Sequence, residues 1–484
     1  MKFHVIDSLR GLPTSYPYFT LFIDNWDDFG TKCLFRLRLH QSADDVIDVG
    51  DVKILQKDSP RTKLPGRFDA LTPGKCISLG QSLDFYEALT KALGQQRTMA
   101  VLEALQDVAL YPGRAKPFDT LPPFRNALLR FNGAQKARRY ARSVVFGDTV
   151  DEELKFTYET TIKDAIAPLS CSFNFDDEDV LPGRIIGIVG RNAVGKTRLL
   201  ANLAKDLVQI ERTTNKSAAR KEDRFSPRRP LFNRVITISY SAFDQFARPE
   251  SEHASYVYCG IRSDRGSLSR AKLIARYRNN LERIRGQDRG RAWTLHMESI
   301  LGERSNAVAA HLHQEISKSK TNEGDLSLLS SGQAILTHFI TSLLAWIEPG
   351  SMVLFDEPET HLHPNAVANL FNVLDRILNE FESYAILATH SPVVLQEIPA
   401  KRVIWLEREG NITTAGRLPV ETFGESISEL TRHVFETVEI KSYYKAKLAA
   451  LAKDYTFDEV MDLFDGNLSL SAQAFLLGHY ARKQ

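Results

Sequence analysis

Cysteine is scarce in this chain: Cys33, Cys76, Cys171 and Cys259 are the only four in 484 residues, far apart and without a C-x-x-C pair. That spacing excludes a disulfide framework or a zinc site and fits reduced thiols in a cytoplasmic protein. Long apolar runs are missing too. None approaches the roughly eighteen residues that mark a membrane-spanning helix, and Lys2-Phe3-His4-Val5-Ile6-Asp7 is not followed by the apolar stretch of a secretory signal. The sequence therefore predicts a soluble protein without a membrane partner. Charge of one sign is not in excess: 62 Lys and Arg face 60 Asp and Glu, a net charge of +2, which points to no class of partner. Internal repeats and low-complexity segments are absent. What is present is 43% hydrophobic residues, enough for sizeable cores in two or three domains.

The most informative segment is Gly190-Arg191-Asn192-Ala193-Val194-Gly195-Lys196-Thr197. It fits G-x-x-x-x-G-K-[ST], a loop whose backbone N–H groups, here including those at Asn192 and Gly195, cradle nucleotide phosphates. Lys196 is placed for the β/γ oxygens and Thr197 for Mg²⁺. Its neighbours suit the role: Ile185–Val189 is a short apolar run of buried-strand type, and Leu199, Leu200, Leu203 and Leu207 recur at helical spacing. In an empty loop the lysine is expected at the surface.

Three later segments extend the pattern. Met352-Val353-Leu354-Phe355-Asp356-Glu357 is an apolar strand ending in two carboxylates, one suited to hold the Mg²⁺ shell and one to polarise water. The plain alternative, a solvated strand end, suits this hydrophobic run and the following Pro358 poorly. Leu329-Ser330-Ser331-Gly332-Gln333 precedes an amphipathic helix carrying Ile335, Leu336, Phe339, Ile340, Leu343 and Leu344. Small residues and free N–H groups at a helix N-terminus bind anions, although alone they would read as a cap. Tyr384–Ala388 is another buried strand, delivering Thr389-His390-Ser391-Pro392 at its C-terminal end, the edge where open α/β sheets bind ligands.

In this order the four segments resemble the ATP-binding-cassette ATPases: Walker A at 190–197, signature at 329–333, Walker B at 352–357 and a switch histidine, the γ-phosphate sensor, at His390. The wording Asp356-Glu357-Pro358-Glu359-Thr360-His361-Leu362-His363-Pro364 is similar to the soluble branch that includes SMC, RecF and the OLD nucleases, and to AAA_21-type ATPases. The likeness covers about 150–440. It implies ATP and Mg²⁺ as ligands, with Asn192, Gly195, Lys196 and Thr197 on the nucleotide, Thr197 and Asp356 on the metal, and Glu357 and His390 in catalysis. It also implies a head-to-head dimer in which Ser330 and Gly332 of one subunit close on ATP held by the other. Ser331 stands where such signatures usually have glycine. His361 and His363 have a spacing that permits a metal pair, but they fall where these ATPases place the D-loop, with no cysteine or third histidine nearby. The expected metal-reporting glutamine is Gln245, in the loop after the strand Val235–Tyr240.

The fold predicted is α/β: an ABC-type P-loop ATPase head with an N-terminal α+β extension, a helical insertion and a helical C-terminal segment. Its divisions are 1–150 for the extension, 151–440 for the ATPase core with 247–325 inserted, and 441–484 for the tail. Within the extension, Tyr18–Phe22 and Cys33–Leu39 alternate as strands, while Leu83–Leu110 and Phe124–Val145 read as helices. The connection 211–233 reads as polar and charged. Asp176–Asp179 reads as an exposed acidic turn.

Three stretches are basic: Arg125–Arg142, Arg220–Arg229 and Arg270–Arg291. They could follow a nucleic-acid backbone, or be solvated helix faces or ion pairs across a subunit interface; nucleic acid thus stays open as a partner. About ninety residues follow His390, too few for the Toprim nuclease domain of OLD-like proteins, so any nuclease is expected on a separate HNH or Toprim effector. The tail around Glu421–Ile427 and Ser442–Lys445 resembles the ATPases of bacterial anti-phage systems such as Septu. The resulting expectation is a slow cytoplasmic ATPase that dimerises around ATP, in a dimer or larger assembly, and regulates a nuclease in antiviral defence. The alternatives are a DNA-repair or chromosome-maintenance ATPase acting on DNA, and a nucleotide-gated scaffold with little turnover.

Overall fold

The computed structural model describes all residues except 1, 9–11, 151–153, 176–180, 242–243, 250–252, 264–265, 302–330, 361, 436–442 and 482–484. The expected acidic turn 176–179 and the candidates Ser330 and His361 lie outside the described residues. The chain forms two compact units, Met1–Glu425 and Ser426–Gln484.

The larger unit contains two separate hydrophobic cores. The first belongs to the N-terminal extension, where β1 (Phe3–Ile6), β2 (Tyr18–Ile23), β3 (Leu34–His40), β4 (Val46–Gln56), β5 (Arg67–Phe68) and β6 (Cys76–Gly80) form one sheet. Its order is β5-β1-β2-β3-β4-β6. Alternation explains the pairing: Phe35, Leu37 and Leu39 of β3 face the core, while Leu34, Arg36 and Arg38 are half-buried. The helices Leu83–Leu93, Gln95–Ala104 and Asn132–Phe146 cover this core. The single long helix expected over Leu83–Leu110 is broken at Gly94, whose φ of 72° lies in the left-handed region that ends helices. It stops at Ala104.

The second core holds β7 (Lys155–Thr160), β8 (Leu169–Asn174), β9 (Ile185–Gly190), β10 (Phe225–Ser226), β11 (Val235–Ser239) and β12 (Tyr256–Tyr258). A short pair, β13 (Arg262–Ser263) and β14 (Gly266–Ser267), precedes β15 (Met352–Asp356), β16 (Tyr384–Thr389), β17 (Val403–Glu409) and β18 (Ile412–Gly416). The central sheet runs β12-β11-β15-β16-β9-β17-β18, parallel from β12 to β17 with β18 antiparallel at the edge. β9, β11, β15 and β16 are buried along their whole length, which is why they read as continuous apolar runs. β10, β7 and β8 form a small antiparallel sheet beside it. The polar connection 211–233 contains the helix Asn215–Glu222 and β10; Thr214 caps that helix by accepting from the Ser217 N–H.

Polar contacts of Asn132 join the two cores. Asn132, at the start of its helix, donates its backbone N–H to Ser255 Oγ at 2.8 Å, and its side-chain amide donates to the Leu207 and Phe232 carbonyls. Within the extension, fully buried Asp28 pairs with Lys53 at 2.7 Å and Arg130 at 2.9 Å.

The smaller unit has the helices Tyr443–Asp454, Phe457–Asp462 and Leu470–Ala481 around Leu448, Ala452, Val460, Ala472 and Leu476. A reciprocal Thr456/Glu459 capping box starts its middle helix. Among the described residues, no helix is long and apolar enough to cross a membrane. All four cysteines are buried and free of disulfides.

The basic stretches are largely spent inside the molecule. In Arg270–Arg291 the chain forms the helix Arg270–Gly286, and a new helix begins at Gly290. Arg283 donates to the Ala345 carbonyl at 2.8 Å and lies 3.9 Å from the Trp346 ring; Arg289 donates to the Leu344 and Ile347 carbonyls, each at 2.8 Å. Arg234 adds a bond to the Trp346 carbonyl. These are the last carbonyls of the helix Ser331–Trp346, where intrahelical donors run out and cations are favoured. Arg276 donates to the Gly260 carbonyl. The second stretch acts likewise on the helix Lys196–Leu207: Lys221 donates to the Lys205 and Val208 carbonyls and Arg229 to that of Leu207. The Arg283→Ala, Arg289→Ala double variant should therefore lose about 2–4 kcal/mol of stability in denaturant unfolding, from charged hydrogen bonds and a helix end left unpaired. An unchanged midpoint would show these arginines to be surface charges.

Candidate functional site

Parallel register decides where the site falls. Ser239 of β11 stands opposite Asp356 of β15, Asp356 opposite Ala388 of β16, and Thr389 opposite Val189 of β9. Four strands thus end level, and the loops that follow them emerge along one edge. These loops carry Gln245, Glu357, His390 and the 190–197 segment.

The glycine loop has the backbone that its sequence requires. A Cβ on Gly190 would sit 2.4 Å from the Leu406 carbonyl oxygen of the neighbouring strand, and Gly195, at φ 106°, would press one to 2.9 Å from Ile162 Cγ2. Ala193 also has a positive φ, 67°. Asn192 is exposed, whereas Lys196 is buried with only 7% of its surface accessible. The expected surface lysine is corrected here: Lys196 Nζ donates to the Gly190 carbonyl at 2.8 Å and the Arg191 carbonyl at 3.2 Å. The loop wraps its own cation because its carbonyls are the nearest acceptors. Burial lowers the Lys196 pKa, while Glu357, Asp356 and Glu359 pull it back up.

Thr197 opens the following helix and donates its hydroxyl to Asp356, 3.0 Å from Oδ1 and 2.9 Å from Oδ2. Asp356 is 1% exposed. Burial pushes its pKa up to about 7; the Thr197 hydrogen bond opposes this, Glu357 adds to it, Lys196 opposes it and Asp244 adds to it. A hydroxyl beside a buried carboxylate is a hard oxygen donor set of the kind that holds Mg²⁺, so the residues present fit that ion. Among the described residues, no cluster of three or more His, Cys, Asp or Glu is arranged to hold a metal. His363 is exposed at the start of the helix Pro364–Glu380.

Glu357 leaves the strand with φ 51°, uncommon for a residue with a side chain. Its backbone N–H donates to the Ala388 carbonyl at 2.8 Å, which pins the turn. Its Oε1 lies 3.4 Å from His390 Nδ1. The contact works in both directions: it is the largest cause that lowers the Glu357 pKa and the largest that raises that of His390. Glu359 Oε1 is also 3.4 Å from His390 Nδ1.

Gln245 is exposed and accepts from Arg198 in the first turn of the helix Lys196–Leu207. Its neighbour Asp244 is buried, paired with Arg248 at 2.5 Å and accepting from Tyr258 at 2.8 Å. Gly332 is half-buried in the first turn of the helix Ser331–Trp346. Glu359 and Asp244 act on this site without having been singled out in the sequence. For Glu359 the available signal was a second carboxylate two residues beyond Glu357; for Asp244 it was adjacency to Gln245.

A cavity of about 1150 Å³ lies elsewhere, lined by Lys53, Phe131, Lys136, Arg234, Trp346 and Glu382 among others. These residues flank the opposite ends of the central strands, so this cavity and the convergent polar groups do not coincide. The chemistry favours the strand edge, where the titratable groups meet.

Residues 304–396 match the AAA_21 family model, described as "AAA domain, putative AbiEii toxin, Type IV TA system". Over almost its full length the chain is similar to protein ea59 of Escherichia phage lambda, 26% identical over 496 residues covering 94% of this chain and 93% of that protein. Among solved structures it is similar to the SMC head domain from Thermotoga maritima, with 13% identity, 55% of this chain, 99% of that chain and a TM-score of 0.29. It spans about a third of the chain matched in ribosome-bound archaeal Pelota and ABCE1, with 14% identity, 55% of this chain, 34% of that chain and a TM-score of 0.30.

The raised Asp356 pKa gives a pH prediction for the ligand-free protein. Between about pH 4 and 7 the folded state keeps a proton that the unfolded chain has released, so this carboxyl's contribution to stability is lost as pH rises through that window. Asp356→Asn should equal the parent near pH 4 and exceed it at pH 8 by on the order of 1–4 kcal/mol in denaturant unfolding. Identical pH profiles would contradict a carboxyl whose pKa is raised by burial.

Proposed function

We propose that this chain, an ABC-type P-loop ATPase in its fold and motifs, binds ATP with Mg²⁺ at the shared strand edge and hydrolyses it. One observation carries this reading: level strand ends bring Lys196, Thr197, Asp356, Glu357 and His390 together, with Thr197 bonded to Asp356 and Glu357 beside His390. Lys196 exchanges its two carbonyl partners for β/γ-phosphate oxygens. Thr197 and Asp356 would hold Mg²⁺, whose chemistry is to neutralise charge on the phosphate oxygens. Glu357, kept ionised by His390, orients and deprotonates the attacking water, and His390 donates to the γ-phosphate. Gln245, joined to Arg198, reports the state of the loop.

Ser330 and Gly332 act across a dimer, on ATP held by a second copy, as the resemblance of the 329–333 segment to a cassette signature implies. Opening and closing of that dimer regulates a separate effector, a nuclease in antiviral defence, in the cytoplasm. The full-length likeness to a phage protein supports reading the N-terminal extension as an integral part of this architecture. The inward use of Arg276, Arg283 and Arg289 favours a protein partner over direct action on DNA.

Purified parent protein should hydrolyse ATP slowly. Lys196→Ala should remain folded and lose ATP binding; Glu357→Gln should keep binding and lose turnover by on the order of 10²–10³. Mixing inactive Ser330→Arg with inactive Lys196→Ala should restore activity, since each heterodimer contains one competent composite site. Parental affinity in Lys196→Ala would overturn the phosphate loop, and freely exchanging subunits that recover no activity would overturn action across the dimer.

A further inference from the structure

Resting on the ATPase reading, we propose that Glu359 is a positioning residue: its carboxylate clamps the Thr389–His390 turn and thereby places the His390 imidazole against Glu357. One oxygen makes the clamp. Glu359 Oε1 accepts from the Thr389 hydroxyl at 2.7 Å and from the His390 backbone N–H at 3.1 Å, and lies 3.4 Å from His390 Nδ1. Thr389 Oγ1 in turn accepts from the Ser391 N–H at 3.0 Å, so three consecutive residues of the turn hang on this carboxylate directly or through one hydroxyl.

The anchoring end is equally defined. Glu359 sits in the turn after β15, where Thr360 N–H donates to the Glu357 carbonyl and Leu362 N–H to that of Glu359. The Glu359 side chain is 11% exposed, and its Oε2 is buried without a hydrogen-bond partner. Leaving a buried acceptor unpaired is unfavourable. The arrangement is sustained by charged hydrogen bonds on Oε1 and by the nearby Lys196 charge. The imidazole thus stands at equal distance from two carboxylates through Nδ1, and its side chain is partly exposed.

Glu357 and Glu359 consequently divide the work. Glu357 faces the reacting atoms; Glu359 reaches them only through His390. Removing the Glu359 side chain frees the turn, whereas a glutamine keeps an acceptor for the Thr389 hydroxyl and the His390 N–H.

The test uses the full chain and two readouts. Amide hydrogen exchange, which requires no turnover, should show the His390 N–H exchanging at least tenfold faster in Glu359→Ala than in the parent, with protection retained in Glu359→Gln. In steady-state ATP hydrolysis, Glu359→Ala should lose on the order of 10–10² in kcat with KM within about threefold, and Glu359→Gln should recover most of that loss. Unchanged His390 exchange in Glu359→Ala overturns the clamp whatever the activity. If the parent hydrolyses ATP and Glu359→Ala matches its kcat, the clamp has no catalytic role and the proposal fails alone. If the parent hydrolyses nothing, the ATPase reading fails, and the exchange result still decides the clamp. Should Glu359→Ala not fold, a tenfold loss of His390 N–H protection relative to the parent in Glu359→Gln overturns positioning through hydrogen bonds, and retained protection supports it.

Discussion

Parallel register in the central sheet is the constraint on which the rest depends. Because β11, β15, β16 and β9 pair without offset, Ser239, Asp356, Ala388 and Ile188 lie in one row across the sheet. A slip of one residue between β15 and β16 would turn every side chain of one strand to the opposite face and move Glu357 away from His390. Full burial of all four strands resists such a slip, since each side chain has its own place in the core. The acidic residues at the strand ends then bear the strain of leaving the sheet: Glu357 does so in a left-handed conformation held by a backbone bond to Ala388.

Two helices of the ATPase core, Lys196–Leu207 and Ser331–Trp346, are braced at their C-terminal ends by the same means. Lys221 and Arg229 close the carbonyl end of Lys196–Leu207, and Arg234, Arg283 and Arg289 that of Ser331–Trp346. Each set satisfies carbonyls that have no intrahelical partner and offsets the negative end of the helix dipole. A nearly neutral chain with three conspicuous basic stretches is explained by this: much of the positive charge is consumed by helix ends and buried carboxylates, as Arg130 is by Asp28.

Much of the core was legible because its signals are contiguous. Strand, glycine loop and helix follow one another within 185–207, and the motifs at Asp356–Glu357 and His390 each follow a buried strand directly, so local pattern sufficed. Contacts between distant segments were not legible. Nothing in Arg270–Arg291 reveals that Arg283 meets a carbonyl 62 residues on, and burial of Lys196 depends on how its loop closes on the Gly190 and Arg191 carbonyls. The helix expected across Leu83–Leu110 failed at Gly94, where apolar spacing continues through a backbone turn that only conformation exposes. Glu359 was visible as a residue but not as a clamp, since its partners Thr389 and His390 arrive from another strand.

The central claim is that ATP and Mg²⁺ occupy the edge where these strands end. A structure of Glu357→Gln with both bound tests it most directly. The account predicts Lys196 Nζ released from the Gly190 and Arg191 carbonyls and within hydrogen-bond distance of phosphate oxygens, and Mg²⁺ beside Thr197 and Asp356. Nucleotide bound in the cavity near Phe131 and Trp346, with Lys196 still on its own carbonyls, would contradict it.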